Sequence, residues 1–161
     1  MDPAAMLSGR TRETQIRRDS LGRWFDGEVP ITHTLLTQAF DAWIERADDG
    51  RYCLKNDINW AYVAIEGAPV FVRSLELGGG GVTMHLSDGR DEPLDPSTLR
   101  QSADGALHCQ VRGGTLPARF DSHAALQLSP LIDEDAEGTY VALEGTRARP
   151  PVVEDALAWP S

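Results

Sequence analysis

The chain has 161 residues, 41% of them hydrophobic, and a formal net charge of −10. That length suits one domain or two small lobes sharing a core, and the apolar content is too high for a disordered chain. The acidic balance argues against nucleic acid as a partner, since that binding needs Lys and Arg to neutralise phosphates, and no apolar run nears the ~20 residues of a membrane span.

Residues 1–13 are polar and small and read as a flexible tail. Residues 14–18 form a first short strand. A hairpin follows over 24–29, where Asp26-Gly27 supplies the positive φ of a tight turn. Thr32 or Thr34 caps a helix that carries Leu36, Phe40, Trp43 and Ile44 on one face. It is expected to end near Arg46, before Asp48-Asp49-Gly50. Strands then dominate: 52–55, a doubly apolar and hence central strand over 60–65, and 69–77. The glycine run 78–81 turns the chain into 82–86, either as a hairpin tip or as a mobile flap. Asp88-Gly89 makes another turn, and Pro93 and Pro96 mark a boundary. Beyond it, 107–112 is a strand, 117–128 a helix with Pro117 in its first turn, and 140–143 the last strand. Residues 147–161 read as a loose tail.

The order strand, turn, helix, acidic-Gly turn, strand occurs twice, over 22–54 and over 107–143. This divides the chain into an N-terminal repeat unit with extra strands (14–94) and a C-terminal repeat unit (95–146). The fold class expected is α+β, two strand-turn-helix-strand units with mainly antiparallel sheet.

Several groups of residues could carry chemistry. Asp133, Asp135, Glu137, Gly138 and Glu144 match positions one, three, five, six and twelve of a calcium loop. The exit helix is missing, because 140–143 reads as a strand, so a solvated acidic turn is the competing reading. His33, His85, His108 and His123 lack metal-ligand spacing, and no Cys-x-x-Cys is present; no cofactor is indicated. Cys53 and Cys109, in a chain without an export signal, read as reduced and buried. His108 and Cys109 are strand neighbours and face opposite sides, so they cannot pair as base and nucleophile. Asp19, Trp24, Lys55 and Glu66 form a second group. Lys55 is the single lysine beside fourteen arginines. Glu66 ends an apolar strand where burial would raise its pKa; ion pairs at strand ends are the alternative. Arg112 and Arg119 flank the second turn-to-helix junction and could hold an anion or pair with carboxylates.

Residues 16–19 (Ile-Arg-Arg-Asp), 22–25 (Gly-Arg-Trp-Phe), Pro30-Ile31, Leu35-Leu36 and 49–54 resemble the opening of the bacterial family called domain of unknown function 1285. Residues 65–71, 111–112, 116–120 and 137–145 resemble its later segments, so the likeness spans roughly 14–145. It implies an α+β fold with two repeated motifs and a small-ligand or signalling role, without a reaction. Gly67, Asn59-Trp60 and His33 depart from the family's usual Asp, Glu-Lys and Arg, which implies an altered or lost ligand.

These readings together describe a non-enzymatic cytoplasmic bacterial protein that binds a small molecule or protein partner between its two repeats, in regulation or signalling. The candidate ligand-binding residues are Asp19, Trp24, His33, Lys55, Glu66, Arg112 and Arg119. The alternatives are a hydrolase using Glu66 or a Cys–His pair, and a module that forms homo-oligomers through an exposed sheet edge.

Overall fold

A computed structural model describes residues 12–158. Most of the tail expected over 1–13 lies outside them. The chain divides into two compact units, the first ending at Pro69 and the second starting at Val70. The class is α+β, and nearly all strand pairing is antiparallel; the parallel pairs join two short strands in the first unit and two strands of the second.

The first unit starts with β1 (Ile16–Arg18), β2 (Trp24–Asp26) and β3 (Val29–Pro30), with Gly27 at φ 60° in the tight turn. Helix α1 (Thr34–Trp43) follows. Its N-cap is His33, whose Nδ1 accepts from the Leu36 N–H at 3.4 Å, in place of the threonines expected there. Leu36 and Phe40 are buried at the i, i+4 spacing. The helix stops before Ile44, because residues 44–46 form β4 (Ile44–Arg46) and pair with β5 (Tyr52–Lys55). The Asp48-Asp49-Gly50 turn closes that hairpin, with Gly50 N–H bonded to Ala47 O at 2.9 Å. The sheet bonds so formed outbid the helix for these residues, and Ile44 is fully buried from a strand instead.

The expected central strand over 60–65 is two edge strands. β6 (Trp60–Tyr62) completes the order β4-β5-β6, and β7 (Ala64–Ile65) joins the sheet β3-β2-β1-β7, parallel to β1. The chain changes sheets at Val63, so its two apolar faces serve two sheets. Residues before β1 lie along β6, where Tyr62 N–H donates to Arg12 O at 2.7 Å and Thr14 Oγ1 to Tyr62 O at 2.6 Å.

The second unit holds a six-stranded sheet. Its members are β8 (Val70–Gly78), β9 (Gly81–Leu86), β10 (Asp91–Pro93), β11 (Arg100–Gln101), β12 (Leu107–Val111) and β13 (Leu116–Phe120), ordered β10-β9-β8-β13-β12-β11. The sheet runs across the Pro93–Pro96 stretch. Along β9 the buried residues Val82, Met84 and Leu86 alternate with half-exposed ones, as one covered face requires. In β8 the alternation breaks at a bulge between Val72 and Ser74, which brings Leu75 back to the core. Gly79 and Gly80 both have positive φ, so the glycine run is a two-residue hairpin turn.

Residues 117–120, expected in a helix, belong to β13; helix α2 covers Ser122–Leu128 alone. Pro117 is tolerated in this inner strand because pairing with β8 begins at Ala118. After a 3₁₀ turn, β14 (Ile132–Asp135), β15 (Gly138–Leu143) and β16 (Thr146–Ala148) form a three-stranded sheet. The expected C-terminal tail thus contributes β16, and its next residues lie along β11, where Gln101 N–H donates to Pro151 O and Val153 N–H to Gln101 O, both at 2.8 Å.

The order strand, strand, helix, strand, strand runs from β2 to β5 and again from β12 to β15. The pairing around it differs. In the first unit the parallel neighbour is taken by β1, whereas in the second it is taken by β13, the strand that leads into the helix.

Candidate functional site

In the second unit the β11–β12 turn, the end of β13, α2 and the β14–β15 hairpin surround a concavity of ≈ 470 Å³. Its apolar walls include Leu107, Phe120, Ala125, Ile132, Val141 and Pro150, and its polar groups are Gln101, Asp104, Arg119, Ser122 and Thr139. Local structure explains the placement. Gln101 and Leu107 are cross-strand partners and share a face, as are Ile132 and Val141. Thr139 and Val141 alternate on β15 on the side of Ile132. Ser122 opens α2 directly after β13 delivers Phe120.

Arg119 is the one cation in this lining, and its side chain is 44% exposed. Its Nη1 lies 3.5 Å from Asp104 Oδ2. Asp104 is committed elsewhere: its Oδ1 accepts from Ser102 Oγ and from Ala106 N–H at 3.1 Å. These bonds hold its carboxyl below the usual aspartate range, so it stays charged. His108 stands opposite Arg119 on β12 and is 2% exposed. Burial pushes its pKa down and keeps it neutral. Its Nδ1 sits 3.2 Å from Ala106 O, an atom that can only accept, so Nδ1 carries the proton. A lining that offers a guanidinium, a carboxylate, two hydroxyls and an amide beside apolar side chains can bind and orient a small molecule.

Of the residues singled out from the sequence, Arg119 lines this concavity. Arg112 serves a different purpose: its Nε donates to the buried Asp88 Oδ2 at 2.8 Å and its N–H to Glu92 Oε1 at 2.9 Å. In the first unit, Asp19 closes its own turn, accepting from the N–H groups of Leu21 and Arg23 and from Arg23 Nε at 2.7 Å. Burial raises its pKa, but the Arg23 bonds outweigh that and the net shift is downward. Trp24 is core: it is 2% exposed, its ring meets Phe40 edge-on at 5.3 Å, and its Nε1 donates to Asp41 Oδ1 at 2.9 Å. His33 is a helix cap. Lys55 lines a smaller hollow of ≈ 360 Å³ with Trp60, Tyr62 and Asp49. Glu66 is exposed, so the burial expected for it does not occur.

The calcium-loop residues sit on a hairpin. Asp133 and Asp135 are in β14, and Asp135 accepts from Arg147 Nη1 at 2.6 Å and from Arg149 Nη2. Arg149 draws the Asp135 pKa down and also approaches Glu137 at 3.4 Å, while Glu144 N–H bonds Gly80 O at the far end of β15. Arginine occupies two of the four carboxylates that a cation would need, Asp135 and Glu137, and among the described residues no group of three metal-ligating side chains converges. Cys109 is fully buried against Met84, with Sγ–Sδ 3.6 Å, and burial pushes its thiol up to about 12. Burial likewise raises the Cys53 thiol. The two thiols are not bonded to each other, and burial disfavours the thiolate of each.

The sequence reading missed Gln101, Ser122 and Thr139. They come from separate elements and share no local pattern, so no motif could have joined them.

One titratable cluster lies on the outer sheet face. His85 of β9 meets Asp91 of β10 through Nδ1 at 2.7 Å and Glu76 of β8 through Nε2 at 3.4 Å. The Asp91 bond raises its pKa above the ordinary value. The stabilisation is therefore full below about pH 6.5, the unfolded value, and fades as pH rises through the higher folded value. Urea midpoints of wild type and His85→Gln are expected to differ most below the unfolded histidine value and to converge as pH rises through the higher folded one; parallel curves would show that the pair contributes nothing.

Among the described residues no helix is long and apolar enough to cross a membrane. No family model matches the chain, and no curated protein does. Two solved structures do. One is a DUF1285 family protein from Silicibacter pomeroyi DSS-3, 19% identical, with a TM-score of 0.67, covering 91% of this chain and 85% of that one. The other is a DUF1285 family protein from Shewanella baltica OS155, 16% identical, with a TM-score of 0.59, covering 73% of this chain and 91% of that one. The chain shares its fold with these two proteins, in agreement with the resemblance read from residues 14–145.

Proposed function

We propose that this is a non-enzymatic small-ligand-binding protein of regulatory or signalling type, acting in a bacterial cytoplasm, and that its site is the concavity of the second unit. The single observation that carries the reading is a concavity of ≈ 470 Å³ whose lining combines apolar side chains with several polar ones. All lining residues except Pro150 fall within 95–146, the segment read from sequence as the second repeat unit, and Pro150 belongs to the stretch read as a tail. The hydrolase alternative gains no support, since Glu66 is exposed and Cys109 sits in apolar packing with its thiol held protonated. Self-association by strand addition is less favoured because β3 and β10 carry Pro30 and Pro93, and chain segments lie along β6 and β11.

A panel of small amphipathic molecules, followed by backbone amide resonances, tests this. Binding is expected to shift the amides of Gln101, Ser122 and Thr139, and Ile132→Glu to weaken it at least tenfold by putting a charge on the apolar wall. Shifts confined to other surfaces, or none with any member of the panel, would overturn the reading.

A further inference from the structure

We infer that the concavity selects a monoanionic amphiphile, a molecule with one carboxylate head and a medium-length apolar body. This rests on the binding reading above and names the ligand class. The head group follows from the charges in the lining. Arg119 is the one cation there, and its contact with Asp104 is a loose 3.5 Å between groups 44% and 60% exposed. Exposed pairs of this kind are worth about 0–1 kcal/mol. Asp104 does not depend on Arg119, because Ser102 Oγ and Ala106 N–H keep its Oδ1 occupied. An arriving carboxylate can therefore take the guanidinium in a two-bond fork while the turn stays closed. The hydroxyls of Ser122 and Thr139 line the same space and can donate to its remaining lone pairs.

The same groups oppose a doubly charged head. His108, beside Arg119 on the next strand, is buried and neutral and adds no second positive charge. Asp104 stays ionised within reach and repels additional negative charge. An ammonium head would meet the Arg119 guanidinium. Leu107, Phe120 and Ile132 in the same lining offer apolar surface to a chain or ring.

Calorimetry with octanoate, octan-1-ol, octylamine and octyl phosphate holds the body constant and varies the head. Octanoate is expected to bind at least tenfold more tightly than each of the others. Arg119→Gln should bring octanoate down to the level of octan-1-ol. Asp104→Asn should tighten octanoate and narrow its advantage over octyl phosphate. Octylamine or octyl phosphate equal to octanoate, or an octanoate affinity unmoved by Arg119→Gln, overturns the head-group assignment while leaving the binding reading in place. Failure of all four to bind, with other amphipathic molecules still shifting the amides of the concavity, also sinks the assignment; no binding by any molecule sinks the reading beneath it.

Discussion

Replacing Arg18 with Ala is expected to lower the unfolding free energy by about 3–5 kcal/mol, the usual cost of removing one partner from a buried ionic network. Arg18 is 1% exposed, on β1 in the first unit. Its Nη1 donates to Pro69 O at 2.7 Å and lies 3.6 Å from Asp41 Oδ1. Its Nη2 reaches Ala68 O at 3.4 Å, and its guanidinium stands 5.8 Å from the centre of the Trp24 ring. Truncation strands two buried carbonyls, leaves Asp41 with a diminished set of donors and opens a space beside Trp24. Urea unfolding followed by circular dichroism measures the loss. A cycle with Asp41→Ala should return a coupling of about 0.5–3 kcal/mol. A loss under about 1 kcal/mol for Arg18→Ala would mean that water reaches the guanidinium and the network is not buried.

Asp88→Ala is the counterpart in the second unit, with an expected cost of about 3–5 kcal/mol for the same reason. The Asp88 side chain is 1% exposed. It accepts from Arg90 N–H and Arg90 Nη1, both at 3.0 Å, and from Arg112 Nε at 2.8 Å. Arg112 carries a left-handed φ of 56°, which a side chain adopts only when its surroundings hold it there. The bonds to Asp88 and Glu92 are that restraint. Removing the carboxylate takes away an acceptor from the Arg112 side chain, which is 13% exposed, and releases the strained turn that follows β12. Asp88→Asn, which keeps the shape and one acceptor oxygen, is expected to recover part of the loss. Equal losses for the two variants would show that charge, not packing, sets the cost.

Much of the fold was legible in the residues. The hairpin at Asp26-Gly27, the α1 residues Leu36 and Phe40, the strand over 52–55, and the glycine turn at 79–80 all follow from rules that act over a few residues. The misses share one cause. Ile44 sits at helical spacing from Phe40, yet residues 44–46 are claimed by β5. Pro117 looks like a helix start, yet residues 117–120 are claimed by β8 and β12. The apolar run over 60–65 looks like a single central strand, yet two sheets divide it. In each case a partner strand distant in sequence supplied hydrogen bonds that local propensity cannot register. The candidate site shows the same split. Arg119 could be named from its chemistry, whereas Ser122 and Thr139 became its neighbours only once α2 and β15 had packed.

Composition and local pattern fixed what holds over short distances: an acidic α+β chain, its turns, the cores of its strands, and two cysteines without Cys-x-x-Cys spacing. Tertiary structure decided what depends on contacts between remote segments: which strands pair, which arginines bond buried carboxylates, and which one lines the concavity. The physical reason is range. A turn is set by the torsions of two residues, but the fate of a charge is set by whatever the fold brings within a few ångströms of it.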